Sequence, residues 1–143
     1  MTDIDFMKYA LKEAQYAYED GEVPIGAVIV ANGRIIAKAH NLTETLTDVT
    51  AHAEMQAITI ASEYLGGKYL KGCTIYVTVE PCPMCAAALA WAQIDRIVYG
   101  AKDVKRGYSL FSPPLLHPKT EVLSGILEGE CSEIVKTFFK EKR

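Results

Sequence analysis

Apolar positions in the first twenty residues recur at a helical spacing. Ile4, Met7, Leu11, Ala14 and Ala17/Tyr18 fall on one stripe, so a helix is predicted over residues 3–20. Thr2 or Asp3 can cap its start and Gly21 its end. The period then changes. Gly26-Ala27-Val28-Ile29-Val30 and Arg34-Ile35-Ile36-Ala37-Lys38-Ala39 flank Asn32-Gly33, a turn pair that predicts an antiparallel hairpin. Pro24 stands just ahead of the first strand, where a missing N–H does little harm. Residues 41–50 are polar and Thr-rich and read as a loop. A helical pattern returns over residues 51–65 and stops at Gly66-Gly67. Residues 73–79 form a β-branched run, read as a buried strand that Pro81 ends. Pro83 suits the first turn of a helix reaching residue 93. Residues 96–100 are a further strand, and strand–helix–strand predicts a parallel, right-handed crossover. Residues 101–119 are irregular, residues 121–123 form a short strand, and an amphipathic helix starts near Glu130. Its apolar positions are Cys131, Ile134, Val135, Phe138 and Phe139. The elements amount to helices layered on a mixed sheet.

The composition supports one domain spanning residues 1–143. Half of the 143 residues are hydrophobic and 23% are charged, which excludes a disordered chain and leaves material for a sizeable core. No apolar run approaches the roughly 18 residues of a membrane span, so no membrane partner is expected. The start, Met1-Thr2-Asp3-Ile4-Asp5, lacks the basic and apolar regions of a targeting peptide, which predicts a cytoplasmic location. The net charge of −3 speaks against a nucleic-acid partner when read globally. It is unevenly spread: residues 1–50 carry a net −4 and residues 101–143 a net +2.

Cysteines 73, 82, 85 and 131 change the picture further. In a cytoplasmic chain a C-x-x-C pair more often binds metal or does redox work than forms disulfides. Two predicted helix starts carry the candidate chemistry: His52-Ala53-Glu54 and Pro81-Cys82-Pro83-Met84-Cys85. Cys82 and Cys85, three apart at a helix N-terminus, lie on one side and can share a metal, and the helix dipole there favours thiolates. His52 is the candidate third ligand. Three ligands leave the fourth tetrahedral position to water, the arrangement of a catalytic zinc site, with that water acidified toward about pH 7. Glu54, two residues beyond His52, can shuttle a proton without ligating. Taken singly, C-x-x-C could be a redox pair and a lone His a packed one. Jointly, H-x-E…P-C-x-x-C is the signature of zinc-dependent base deaminases. Cys73 and Cys131 read as core thiols, and His40 and His117 are left without a role.

On these residues the chain resembles the cytidine deaminase-like zinc-dependent superfamily, and within it the bacterial tRNA-specific adenosine deaminases. The resemblance runs over nearly the whole chain. It includes Gly21-Glu22-Val23-Pro24-Ile25-Gly26-Ala27-Val28, Asn41, Asp48 and Thr50-Ala51-His52-Ala53-Glu54. It continues through Tyr76-Val77-Thr78-Val79-Glu80-Pro81-Cys82-Pro83-Met84-Cys85, Tyr99-Gly100-Ala101-Lys102-Asp103, Gly125-Ile126-Leu127, Glu130-Cys131 and Phe138-Phe139. The resemblance implies an α/β chain with the three-layer α/β/α cytidine deaminase-like fold and a mixed five-stranded sheet. It implies a homodimer with one zinc ion per subunit, hydrolysing the wobble adenosine of an arginine tRNA anticodon to inosine by a zinc-activated water. His52, Cys82 and Cys85 would bind zinc and Glu54 would move protons. Asn41 and the Ala53 backbone would bind the flipped base, Asp103 and Lys105 the anticodon stem-loop, and Phe138 or Phe139 the surface near the target base.

Two alternatives remain open on sequence grounds. Pro-Cys-Pro-Met-Cys, with Pro83 where many tRNA enzymes carry another residue, is similar to the guanine deaminase motif. Val49 stands where a Pro is common, and residues 106–119 look shorter than the usual RNA-holding loop. A free-base or nucleoside deaminase is therefore the second reading. The third is a non-catalytic module stapled by zinc, against which Glu54 argues, because a structural site would close its fourth position.

Overall fold

Thr2 is the N-cap of the first helix. Its hydroxyl accepts from the Asp5 amide, and the Asp5 carboxylate accepts from the Thr2 amide, so two otherwise orphaned donors are satisfied ahead of α1 (Asp3–Glu19). The structure, a computed structural model, describes residues 1–142. Phe6, Met7, Ala10, Ala14 and Ala17 form the buried stripe of α1. Strands β1 (Gly26–Ala31) and β2 (Arg34–His40) follow as the expected hairpin. Asn32 and Gly33 both take positive φ, 51° and 73°, as a type I′ turn requires.

Helix α2 (Ala53–Leu65), strand β3 (Cys73–Val79), helix α3 (Pro83–Trp91), strand β4 (Arg96–Ala101), strand β5 (Glu121–Ser124) and helix α4 (Glu128–Glu141) complete the chain. The sheet runs β2-β1-β3-β4-β5. β1 is antiparallel to β2 and β3, whereas β3, β4 and β5 are parallel. The sheet is thus mixed and five-stranded, as anticipated. Strand alternation sends Ala27, Ile29, Ile75, Val77 and Ile97 into the core shared with α2 and α3. Val28, Val30, Tyr76 and Val98 face the opposite core with Phe6 and Met7 of α1 and Cys131 of α4. Two helices on each face explain why β1, β3 and β4 are buried almost throughout. Each fully buried Val or Ile contributes about 1.5–3 kcal/mol relative to exposure.

Close approach of layers also selects residues. A methyl group on Gly26 would run into the α1 backbone at Ala10 and Ala14, so only glycine lets α1 settle on β1. The element boundaries differ from the sequence expectation by two residues at three helix ends and by one residue at several others. α2 starts at Ala53 rather than residue 51 because His52 is extended (φ −71°, ψ 157°). α3 stops at Trp91, and Gln93 turns left-handed at φ 58°. α4 starts at Glu128, directly after Leu127 at φ 55°. Cys73 and Cys131 are buried core thiols, as read from sequence.

Candidate metal centre and substrate cleft

The C-terminal edge of the parallel strands carries the candidate site. β3 delivers Glu80, Pro81 and Cys82 to this edge, and the Glu80 amide still bonds the Ala101 carbonyl at 2.8 Å. Cys82 then caps α3 with Pro83 in its first turn, where the missing proline N–H costs nothing. His52 occupies the matching cap position of α2 and makes no capping bond, which leaves its ring free. Packing of α2 against α3 brings the two helix starts together. His52 Nδ1 lies 3.7 Å from Cys82 Sγ and 3.4 Å from Cys85 Sγ. The three donor atoms lie within 4.8 Å of one another. A zinc ion bonding S at 2.3 Å and N at about 2.0 Å in a tetrahedron needs N···S edges of about 3.5 Å. The donor set therefore fits zinc in kind and in spacing.

Electrostatics prepare the same group for a cation. The Cys82 thiol is drawn down to about 4 by hydrogen bonds from the Cys85 thiol and the His52 ring, against the cost of burial. Cys85, facing that thiolate and buried, is pushed far up. His52 is raised by its bond to Cys82. One thiolate, one thiol and one imidazole thus share protons that a metal would displace. Glu54 is 4% exposed on the first turn of α2. Burial pushes its carboxyl up to about 7, with its own backbone amide and the His52 ring opposing. A carboxyl near neutrality beside a metal site can both take and give a proton at physiological pH.

Beside His52 opens a cleft of about 480 Å³, walled by Thr43, Glu44, Asp48 and Val49 on one side and Arg106 on the other. Asn41 is buried beneath the first wall. Its Oδ1 accepts from the Thr43 amide at 3.2 Å and its Nδ2 reaches the Val23 carbonyl at 3.5 Å. Ala53 opens α2, so its amide has no acceptor within the helix. Asp103 bends the second wall, its Oδ1 accepting from the amides of Lys105 and Arg106 at 3.0 and 2.9 Å. Lys105 is exposed on that loop. The metal ligands, Glu54, Asn41 and Ala53 thus gather at one edge.

The aromatic pair on α4 divides. Phe138 is only 7% exposed, its ring edge-on to Tyr18 of α1 at 6.0 Å, so it packs α4 onto α1 rather than offering a surface to substrate. Phe139 is 46% exposed. Neither lines the cleft beside His52. Of the basic residues in the +2 segment, Arg106 lines the cleft, while Lys102, Lys119, Lys136, Lys140 and Lys142 are exposed elsewhere; Arg143 lies outside the described residues. His40 bonds Glu13 at 2.9 Å, and His117 accepts from the Lys119 amide at 3.0 Å.

Two buried glutamates escaped the sequence reading of roles. Glu22 is fully buried and accepts from the Glu44 and Thr45 amides and the Thr45 hydroxyl. Burial raises its carboxyl, but those bonds outweigh it and hold it below its ordinary value. Glu80 is 4% exposed and accepts from the Asp103 and Ser109 amides and the Ser109 hydroxyl. For Glu80 the available signal was a carboxylate directly after an apolar strand, where an unpaired charge is costly; Glu22, in the connection from α1 to β1, gave no such signal.

Comparison with known proteins bears on the same residues. The pattern of the cytidine and deoxycytidylate deaminase zinc-binding region matches residues 1–101, which include His52, Glu54, Cys82 and Cys85. A relative from Agrobacterium fabrum, named a tRNA-specific adenosine deaminase, is 51% identical; the match covers 96% of this chain and 94% of the relative. A solved structure from a study of A-to-I editing by tRNA deaminases at the wobble position superposes with a TM-score of 0.86 at 50% identity, covering 91% of this chain and 98% of that one. A guanine deaminase structure from Bacillus subtilis gives a TM-score of 0.69 at 41% identity, covering 71% and 66%.

Proposed function

The chain belongs to the cytidine and deoxycytidylate deaminase zinc-binding family, and from that premise we propose that it converts the wobble adenosine of a tRNA anticodon, in arginine tRNA, to inosine. The observation that carries this reading is the cluster of His52, Cys82 and Cys85 with buried Glu54 beside it, its His52 lining an open cleft, in a chain similar over 96% of its length to a tRNA-specific adenosine deaminase. The overall reaction is hydrolysis: the adenine amine leaves as ammonia and a water oxygen takes its place.

His52, Cys82 and Cys85 would hold zinc, one ion per subunit. When bound, zinc supplies a Lewis acid that makes water nucleophilic near neutral pH. Glu54 takes a proton from the attacking water and places it on N1 of the adenine ring. It then carries a second proton to the exocyclic nitrogen, which departs as ammonia. Its burial supports this role, because a carboxyl held near neutrality exchanges protons in both directions. Asn41 and the free Ala53 amide orient the flipped base. Asp103, Lys105 and Phe139 contact the anticodon loop around it, Asp103 by shaping the wall that carries Lys105. Residues 1–143 act as one deaminase domain working in the cytoplasm.

A homodimer is part of the same reading. Trp91 at the end of α3 is 82% exposed and, with Tyr69 and Leu115, borders an apolar depression of about 270 Å³ on the α2–α3 face. Burial of such a face against a second copy removes an exposed patch of aromatic surface from water.

The guanine reading draws on Pro83 and on the 41% identity to a guanine deaminase. Incubating zinc-loaded protein with an arginine tRNA transcript bearing an ACG anticodon, and separately with guanine, distinguishes the two. Inosine in the transcript is the expected product. Xanthine alone overturns the reading.

A further inference from the structure

The cleft has two walls, and each is gripped from below by one buried carboxylate. Glu22, in the connection from α1 to β1, accepts three hydrogen bonds from the first wall: the Glu44 amide at 3.0 Å, the Thr45 amide at 2.7 Å and the Thr45 hydroxyl at 2.6 Å. Glu80, directly before Pro81 and Cys82, accepts three from the second: the Asp103 amide at 3.2 Å, the Ser109 amide at 3.0 Å and the Ser109 hydroxyl at 2.7 Å. The pattern is the same on both sides, two amides and a hydroxyl on one carboxylate. Neither glutamate belongs to an ion pair among the described residues. Each carboxylate therefore relies on hydrogen bonds from loop donors, with His40 adding only a longer-range charge effect at Glu22. A loop that swung away would leave a bare carboxylate in the protein interior, which is strongly disfavoured. The Tyr108 amide bonds the Pro81 carbonyl at 2.9 Å, so the second loop and the strand end that carries Cys82 are joined twice. Gly107 completes the grip: a methyl group there would collide with the Glu80 carboxylate, so the loop closes over Glu80 only with glycine at that position.

We propose that Glu22 and Glu80 are positioning residues that fix the two walls of the substrate cleft, and so set affinity for the nucleic-acid substrate without taking part in the chemistry. The inference rests on the reading of this cleft as the deaminase substrate site. The first wall presents Glu44 and Asp48, the second Arg106, so the two grips hold surfaces of opposite charge at a fixed separation across His52. An RNA loop entering between them meets walls that are already in place, and the ordering entropy has been spent on folding instead of on binding.

The test separates position from stability and from the reaction assignment. Glu80→Gln leaves one accepting oxygen where Asp103 and Ser109 together use two, so one side of the grip meets an NH2 donor instead. Gly107→Ala disturbs the same contact from the loop side. Glu22→Gln is the partner on the other wall. Zinc content of each variant is measured first and is expected to stay at one per chain. With the arginine tRNA anticodon stem-loop, each variant is expected to raise KM about tenfold and change kcat by less than twofold. The product of the two single effects is expected in Glu22→Gln/Glu80→Gln, since the walls are separate. Asp3→Asn, which loosens α1 from β4 far from the cleft, is the stability control and is expected to lower Tm without raising KM. Hydrogen exchange gives a readout that needs no substrate: Glu80→Gln should speed exchange at Asp103 and Ser109 and spare Glu44 and Thr45, with the reverse for Glu22→Gln. Unchanged exchange at the gripped amides overturns the positioning role. So does a KM rise equal to that of Asp3→Asn at matched Tm, or a fall in kcat at constant KM. A wild-type protein that leaves the stem-loop unmodified overturns the deaminase reading alone, because the exchange result still stands by itself.

Discussion

At the scale of single residues, three side chains and a carboxyl define the chemistry, and each makes a separable prediction. Glu54→Ala should retain zinc, because Glu54 is not one of the three clustered donors, and should lose turnover by about 10²–10⁴-fold, the usual worth of a positioned acid–base group. Metal analysis beside a deamination assay checks both halves; surviving activity removes Glu54 from its role. Cys85→Ser should instead lose most of the zinc, since Cys85 Sγ is one of the three donor atoms that cluster at the site among the described residues. These residues were legible in the sequence because their spacing is the chemistry: two cysteines three apart at a helix start, and His and Glu two apart at another. Glu22 and Glu80 were not legible as loop anchors. Each donor they use is 22 to 29 residues away in sequence, and no local periodicity encodes a hydrogen bond across that distance. The packing of Phe138 was not legible for a related reason. An aromatic on an amphipathic helix reads the same whether its partner is RNA or, as here, Tyr18 of α1.

At the scale of elements, α1 is tied to the sheet at its start and at its middle by interactions that pH and mutation can probe. Its first residue, Asp3, forms a two-pronged pair with the Arg96 guanidinium, both contacts 2.8 Å, and accepts from the Tyr76 hydroxyl at 2.6 Å. The Arg96 hydrogen bonds hold the Asp3 carboxyl at about 2, below its ordinary 3.8. A lowered folded value stabilises the fold above the unfolded value, and that contribution disappears as pH falls from about 4 to about 2. The difference in Tm between the parent and Asp3→Asn should therefore be largest near neutral pH and shrink across that window. Because the pair is partly solvent-exposed, the neutral-pH difference should amount to about 1 kcal/mol. Midway along α1, Gly26→Ala should cost several kcal/mol or abolish folding, since the added methyl meets helix backbone that cannot move aside. Thermal melts check both. Most element types and the hairpin turn followed from period and turn chemistry, but the start of α2 did not. His52 adopts an extended cap conformation where the apolar pattern alone continues the helix to residue 51.

At the scale of the whole molecule, charge and surface decide the partner. The net −3 belongs mainly to the first 50 residues, and the cleft wall that carries Arg106 comes from the +2 segment. A protein can thus be acidic overall and still hold RNA phosphates locally. Affinity for the anticodon stem-loop should fall as salt rises, with a log–log slope of about −0.7 per phosphate contacted on a single strand. A KM that ignores salt between low and physiological ionic strength would contradict a phosphate-contacting cleft. The sheet order and the layering of two helices on each face were anticipated only in outline. Loop lengths and hydrophobic runs predict a parallel crossover, but which strand lies beside which depends on packing across the whole chain.

The most direct measurement is the nucleoside content of an arginine tRNA transcript after incubation with zinc-loaded protein, resolved by position. One inosine per transcript at the wobble site of an ACG anticodon, none when guanosine replaces that adenosine, and none with Glu54→Ala is the predicted result. A transcript that emerges unmodified while the same protein turns guanine into xanthine would contradict the account.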